Sequence, residues 1–281
     1  DTLSPTKIDI AFYISPIING VIRFGTEEGK YDLFRGFISY NETKMIETEY
    51  RGNIRREHFY DYIARVSYNV KERQNREKIK SLNFLTSEIE KNKLHENQIL
   101  IVKVSKDEVP QTITGLVAME LLKKYKKPTL VLRPRNENGE ITFAGSGRGK
   151  ANGEFDSLHG FLRESGLCEY VEGHDMAHGV AIKNENIPKL INYANKKLSE
   201  IEFNVDEVEV DYIFTNGSIN YNMIFQFGDA IKLYGNGIPQ PKFAFELKLN
   251  KSSIQTLGKN EDSNKMNVGG IDFIKFKDNN F

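Results

Sequence analysis

A mixed-sheet α/β domain, preceded by a long connecting helix and followed by a small β-barrel domain, is the architecture this 281-residue sequence predicts. Three observations carry it. From Ile99 to Ile182 strand patterns alternate with helix patterns. From Arg55 to Lys93 there is neither proline nor glycine, and Phe59, Ile63, Val66 and Val70 recur at helical steps. After Glu200 short runs of alternating apolar and polar residues are separated by Asn/Gly turns, the pattern of a small antiparallel barrel.

Taken in order, Ile8 to Ile38 predicts a buried segment through Ile14–Gly25, a turn, and an amphipathic helix containing Tyr31–Ile38. Residues 55–97 form the long helix, its charged face solvated. Ile99–Val104 is a strand, Thr112–Tyr125 a helix with Ile113, Leu116, Val117 and Leu121 on one side, and Pro128–Leu132 a second strand. Short links in that order imply a parallel pair with a right-handed crossover. Glu140–Gly145 is a third strand after the turn Asn136–Gly139. A glycine-rich loop, a helix over 154–165, a Gly-His loop, the strand Val180–Ile182 and a helix from Ile187 to Leu198 complete a domain over 98–203. Val208–Phe214, Lys242–Leu249 and Ile271–Lys277 supply the strands of 204–281.

Composition bounds the function. Hydrophobic residues at 39% and charged residues at 28% are those of a soluble globular protein, and no apolar run reaches the roughly 20 residues that span a bilayer. A cytoplasmic protein with no membrane partner is expected. The 39 basic and 39 acidic side chains cancel, so any nucleic-acid surface must be local. Cys168 is the sole cysteine, which excludes an internal disulfide framework and a multi-cysteine zinc site. The start, Asp1-Thr-Leu-Ser-Pro, carries neither an initiator Met nor a secretory signal, and a preceding segment is expected.

Two stretches carry candidate chemistry. Ala144–Gly153 offers close backbone approach, the Ser146 hydroxyl and the Arg148 guanidinium, a combination suited to phosphate; a plain surface turn is the bland alternative. It is not a Walker loop, which requires Gly-x-x-x-x-Gly-Lys-Ser/Thr. Val171–Gly179 holds His174 and His178, four apart, which on a helix would share a face and could bind a metal. No third ligand is near, so hydrogen bonding to a phosphate or a backbone group is the favoured role and no metal site is expected in this chain.

The combination of Gly-Ser-Gly-Arg, Leu158-His159 and Glu172-Gly-His-Asp-x-Ala-x-Gly resembles the DHH-associated domain of RecJ exonucleases, whose signatures are a Ser-x-Arg loop and a Gly-Gly-His-x-x-Ala-x-Gly loop. Glu172 replaces the first glycine. Ser15-Pro-Ile-Ile-Asn-Gly-Val-Ile-Arg-Phe-Gly is similar to the segment closing that family's catalytic domain, with Asn19 and Arg23 retained. Thr112-Ile-Thr-Gly-Leu-Val-Ala resembles its Gly-Val-Ile-Gly-Ile-Val-Ala helix without the preceding His, and Tyr234-Gly-Asn-Gly-Ile-Pro-Gln-Pro-Lys-Phe the opening of its OB-fold.

The resemblance implies that 1–54 is the end of a DHH domain and that this chain is the substrate-binding C-terminal half of a 5′-to-3′ single-strand DNA exonuclease serving DNA repair and recombination. It implies a two-metal Mn2+ or Mg2+ site in an N-terminal DHH domain absent from this chain. Ser146, Gly147 and Arg148 would then hold the terminal phosphate, His174 would act catalytically on the scissile phosphate, and Gly173, Asn19 and Arg23 would line the substrate path. Single-stranded DNA, and a single-strand-binding protein, are the implied partners of a monomer. In the C-terminal domain Phe243, Phe245, Phe273 and Phe276 alternate with Lys242, Lys248, Lys275 and Lys277; Phe243 and Phe245 share a strand face and are expected in the core, the lysines along phosphates. The alternatives are a stand-alone single-strand nucleic-acid-binding module and a DHH-type phosphodiesterase acting on short oligonucleotides.

Overall fold

Leu130, Val131 and Leu132 are fully buried at consecutive positions of one strand, so the sheet that contains them is covered on both faces. The computed structural model describes residues 5–38, 43–137, 140–150, 154–203, 209–215, 219–235, 237–247, 251–258 and 263–275. Two units result, Asp1–Asp206 and Glu207–Phe281.

The first unit begins with helix α1 (Lys7–Asp9), which runs through a π-turn at Ile10–Ile14 into α2 (Ser15–Phe24), followed by α3 (Glu27–Ile38). The buried segment expected here is instead helical: only Gly20 and Val21 of α2 are buried, and Phe12, Tyr13 and Ile22 are exposed. Pro16 follows directly on the π-turn, within a helical stretch that is continuous from Lys7 to Phe24. A hairpin of β1 (Met45–Tyr50) and β2 (Asn53–His58) precedes α4 (Phe59–Lys91). Arg51 and Gly52, with φ of 51° and 78°, make its two-residue turn, the geometry that matches strand twist. The long helix of 55–97 therefore starts only at Phe59, and Val21, Leu33, Phe59 and Ile63 form a small core among α2, α3 and α4.

The central sheet consists of β3 (Leu100–Lys103), β4 (Thr129–Glu137), β5 (Glu140–Arg148), β6 (Cys168–His174) and β7 (Ala177–Lys183) in the order β3-β4-β5-β7-β6, with α5 (Thr114–Tyr125), α6 (Leu158–Glu164) and α7 (Ile187–Lys197) packed on it. Only β3 and β4 are parallel, as the strand, helix, strand order predicts; every other pairing is antiparallel. One face carries Leu100, Val102 and Val131 against Leu85 and Ile89 of α4 and Val117 and Leu121 of α5. The other carries Ile101, Leu130, Leu132, Val180 and Ile182 against Leu158 and Leu162 of α6 and Leu190 and Ala194 of α7.

Two expected loops are strands. Gly145-Ser-Gly-Arg148 is the end of β5, paired on both sides, and the Gly-His segment is the tip of the β6–β7 hairpin, turning at Asp175–Met176. Glycine serves close approach here: a Cβ at Gly145 would collide with the Val131 carbonyl oxygen.

The second unit contains β8 (Tyr212–Phe214) paired in parallel with β9 (Phe243–Phe245), α8 (Tyr221–Asp229), and an antiparallel sheet of β10 (Gln255–Leu257), β11 (Ser263–Val268) and β12 (Ile271–Lys275). Among the described residues these strands do not close into a barrel, and α8 was not foreseen. Phe214 stacks on Phe245 at 4.9 Å, and Phe243 and Phe273 join the same ring cluster, so the phenylalanines pack among themselves as expected for core positions. Phe276, Lys248 and Lys277 lie outside the described residues.

Gly145→Ala is expected to lower unfolding free energy by about 1–3 kcal/mol through overpacking at the sheet centre, measured by urea denaturation.

Candidate phosphate-binding site

Side chains alternate along β5, so Thr142, Ala144, Ser146 and Arg148 share the α5 face and Phe143, Gly145 and Gly147 the opposite one. The α5 face brings Ser146 and Arg148 to the start of α5. The Thr114 hydroxyl donates to the Gln111 carbonyl at 3.0 Å and stands 2.9 Å from the Ser146 hydroxyl. The guanidinium of Arg148 is anchored by Nη1 donating to the Gly147 carbonyl at 2.6 Å. Its Nη2 occupies the space beside Gly115 that a Cβ would otherwise fill. A hydroxyl pair, an arginine and the N-terminal turn of a twelve-residue helix with no acidic residue in that turn thus converge. The start of such a helix carries the positive end of the helix dipole, which favours an anion, although the Thr114 N–H itself donates to the Gln111 carbonyl.

The surrounding charge is unbalanced. Burial, and secondly the charge of Arg23, lower the Arg148 pKa, although a guanidinium stays protonated at neutral pH. Lys71 of α4 is likewise lowered, by burial first and then by Lys78 and Arg23. Among the described residues neither Arg148 nor Arg23 is paired with a carboxylate. Arg23 is exposed near the C-terminal end of α2, which packs on the turn at Gln111–Ile113 before α5, and Asn19 is exposed one turn earlier. The Lys71 stem runs under Gly20 and its ammonium donates to Gln74 Oε1 at 2.9 Å; the Gln74 amide nitrogen is buried without a partner. Cations crowded this way repel one another, and an anion among them relieves that cost.

His174 and His178 are separated by the strand geometry. The register aligns Arg148, Ala177 and His174 across β5, β7 and β6, so His174, at the exposed end of β6, shares the Arg148 face. Two strand spacings, about 10 Å, separate their backbones. His178 pairs with Gly147 on the other face and is only 4% exposed. The shared face that a helix would have given residues 174 and 178 does not arise, because the two lie on opposite strands of a hairpin and opposite faces of the sheet. His178 Nδ1 lies 3.3 Å from the His174 carbonyl oxygen, while Nε2 is buried without a partner against Gly147. Gly173, at φ 133°, lets β6 close over His178; a Cβ there would sit 2.8 Å from the His178 Cα.

Ser146, Gly147 and Arg148 thus come together, with Arg23 in electrostatic reach and His174 and Gly173 at the hairpin tip. Thr114, Gly115 and Lys71 were missed as site residues. Gly115, an isolated glycine inside a helical run, was the available signal; Lys71 is indistinguishable in sequence from the other lysines of α4.

No protein-family profile matches the chain. It is 30% identical over 268 residues to a Bacillus subtilis protein provisionally named SPbeta prophage-derived single-strand DNA-specific exonuclease YorK, a match covering 95% of this chain and 46% of that one. The corresponding protein of Bacillus phage SPbeta matches equally. The chain spans about half the length of these curated relatives. Among solved structures, RecJ of Thermus thermophilus in complex with Mn2+ superposes with a TM-score of 0.63 at 18% identity, covering 97% of this chain and 36% of RecJ. The same protein with Mg2+ gives 0.62. The resemblance read from the motifs is borne out by both comparisons.

Burial, the largest cause, lowers the His178 pKa beneath its usual value near 6.5. The unfolded chain then binds the proton more readily, so stability should fall as pH drops below about 6.5 and level off beneath the folded-state pKa. Urea denaturation of wild type and His178→Gln between pH 7.5 and 5 checks this: the variant should lose that portion of the pH dependence.

Proposed function

Because this chain is a relative of a single-strand DNA-specific exonuclease and shares its fold with part of RecJ, we propose that it grips the 5′-phosphorylated end of single-stranded DNA for a metal-dependent exonuclease acting 5′ to 3′. The observation that carries the proposal is the convergence of Ser146, Arg148 and the first turn of α5 in a place where uncompensated cations crowd. In this reading the terminal phosphate lies between the Arg148 guanidinium and the Ser146 and Thr114 hydroxyls. An arginine binds a phosphate through paired N–H donors, and the positive end of the α5 dipole adds to the attraction. Arg23 and Asn19 flank the strand's path on α2, and His174 faces the phosphate next along the strand from the hairpin tip.

RecJ of Thermus thermophilus has been solved with Mn2+ and with Mg2+. Divalent ions supply a nucleophilic hydroxide and neutralise the in-line transition state in phosphodiester hydrolysis. The described residues here do not fit such ions, since no acidic or histidine cluster of the required size is assembled. This chain's share is therefore positional: it fixes the end of the strand so that a defined phosphodiester is presented. We extend the proposal, on the family resemblance alone, to a role in DNA repair and recombination and to cooperation with a single-strand-binding protein.

Arg148→Ala should weaken binding to 5′-phosphorylated single strands by roughly tenfold or more while leaving 5′-hydroxyl strands nearly unchanged, the size expected for a charge-assisted contact. Fluorescence anisotropy with 3′-labelled oligonucleotides measures both, and equal losses on the two ends would refute the terminal-phosphate pocket. With Mn2+ or Mg2+ the 281-residue chain alone should release no nucleotides from an end-labelled strand.

A further inference from the structure

The phosphate pocket opens sideways into a groove on the same face of the sheet, of about 670 Å3, with Lys106, Gln111, Thr114, Arg133, Arg135 and Tyr170 on its walls and Ala144, Gly145 and Ser146 along its floor. That volume is within the range of about 300–1,000 Å3 that holds small ligands. None of its lining residues is acidic.

The topology creates this groove. The pairing of β3 with β4 ends at Lys103 and Leu132, with one further bond from the Val104 N–H to the Leu132 carbonyl. Beyond it β4 is an edge, and Pro134 stands where no N–H is needed. Arg133 lies on the α5 face, as Val131 does two residues earlier, and is held loosely by Nη2 donating to the Lys106 carbonyl at 3.4 Å. Its Nε is buried without a partner, and among the described residues no carboxylate pairs with it. A guanidinium partly withdrawn from water with no counter-ion is poised for an anion.

Register fixes the opposite wall. Arg133, Ala144, Ala181 and Tyr170 form one row across β4, β5, β7 and β6. The row spans three strand spacings, about 14 Å between the outer backbones. The residue at 144 is a small alanine on the groove floor, while the ring of Tyr170, 36% exposed, lies beside Gly179, whose Cβ would be 3.9 Å from Tyr170 Cε2. Arg133 and Tyr170 thus stand on opposite walls of one groove, with the small side chains of Ala144 and Ala181 in the row between them. The row is also four residues along β5 from Arg148, about 13 Å, with Ser146 midway.

We infer that this groove is a slot for one nucleotide of the bound single strand, its phosphate on Arg133 with Lys106 and Arg135 alongside and its base stacked on Tyr170. The slot rests on the neighbouring phosphate pocket proposed above and extends it from an end-group site to a site that counts nucleotides. Base stacking on an aromatic tolerates any base, which suits a strand taken without regard to sequence.

Anisotropy with 3′-labelled oligothymidine tests the slot, using the full chain and Arg133→Ala, Tyr170→Ala, Tyr170→Phe and Arg148→Ala variants that retain wild-type unfolding midpoints. Arg133→Ala should weaken 5′-hydroxyl and 5′-phosphate strands alike, by about fivefold to tenfold, and flatten the plot of log affinity against log salt by about 0.7 for the lost contact. Tyr170→Ala should cost about tenfold and Tyr170→Phe little, and an abasic site at one of the first two nucleotides should abolish the difference between them. Wild-type affinity and salt slope in both Arg133→Ala and Tyr170→Ala would overturn the slot. So would a loss in Arg133→Ala confined to 5′-triphosphate strands, which would make the groove a polyphosphate site. Arg148→Ala separates the two proposals: if it fails to discriminate 5′-phosphate from 5′-hydroxyl ends while Arg133→Ala still weakens both, the end pocket falls and the slot stands.

Discussion

A Cβ on Gly145 would overlap the Val131 carbonyl oxygen, and one on Gly147 would overlap His178 Nε2. Strand β5 can therefore sit between β4 and β7 only with bare backbone at these two positions. Everything at the candidate site follows from that fit. With the opposite face of β5 occupied by glycine and the His178 ring, the α5 face receives Ser146 and Arg148 at fixed register, directly beneath the first turn of α5. Glycine in a strand interior ordinarily weakens it, and here that cost is offset by core packing on both sides of the sheet.

The same fit explains the state of His178. Its ring fills the space that Gly147 leaves, which removes water from Nε2 and keeps the imidazole neutral, while Nδ1 faces the His174 carbonyl at the hairpin tip. A neutral ring adds no charge next to Arg148, whose guanidinium is already disfavoured by burial and by Arg23. The two faces of β5 thus divide the work: one holds a packed neutral ring that stiffens the hairpin, and the other gathers cations around an opening.

Much of this was legible in the sequence, and the misses share a cause. Period and length located β3, α5, β4, α4 and α7, because each buries one consistent face. The hydroxyl and guanidinium of Ser146 and Arg148 marked the site by chemistry alone. Glycine was misread where it served contact instead of turning: Gly147 suggested a loop and lies in the strand that the pattern ended at Gly145, and Gly173 and Gly179 suggested a loop around what is the tip of a hairpin. His174 and His178 fall on opposite faces for the same reason, since spacing by four means a shared face only on a helix. The hairpin before α4 was hidden because Arg51, not Asn or Gly, takes the first left-handed turn position. Arg133 could not be found from sequence, because its importance depends on where β3 stops pairing with β4.

Neutral overall charge, with 39 cations and 39 anions, taken by itself argues against a nucleic-acid surface. Among the described residues several carboxylates are engaged by cations, Glu57 by Arg55 and Arg65, Glu120 by Lys78 and Lys123, Asp272 by Lys265. Among the described residues of the first unit, Arg23, Arg148 and Arg133 gather around the α5 face of the sheet with no carboxylate partner. Because screening in salt confines the field of such groups to about 8–10 Å, it is this local imbalance and not the sum over the chain that a phosphate meets. A neutral protein with a cationic groove binds a strand only where the groove admits it, and non-specific attraction along the rest of its surface stays weak. For a protein proposed to take hold of an end and not a middle, that restriction is itself a source of specificity.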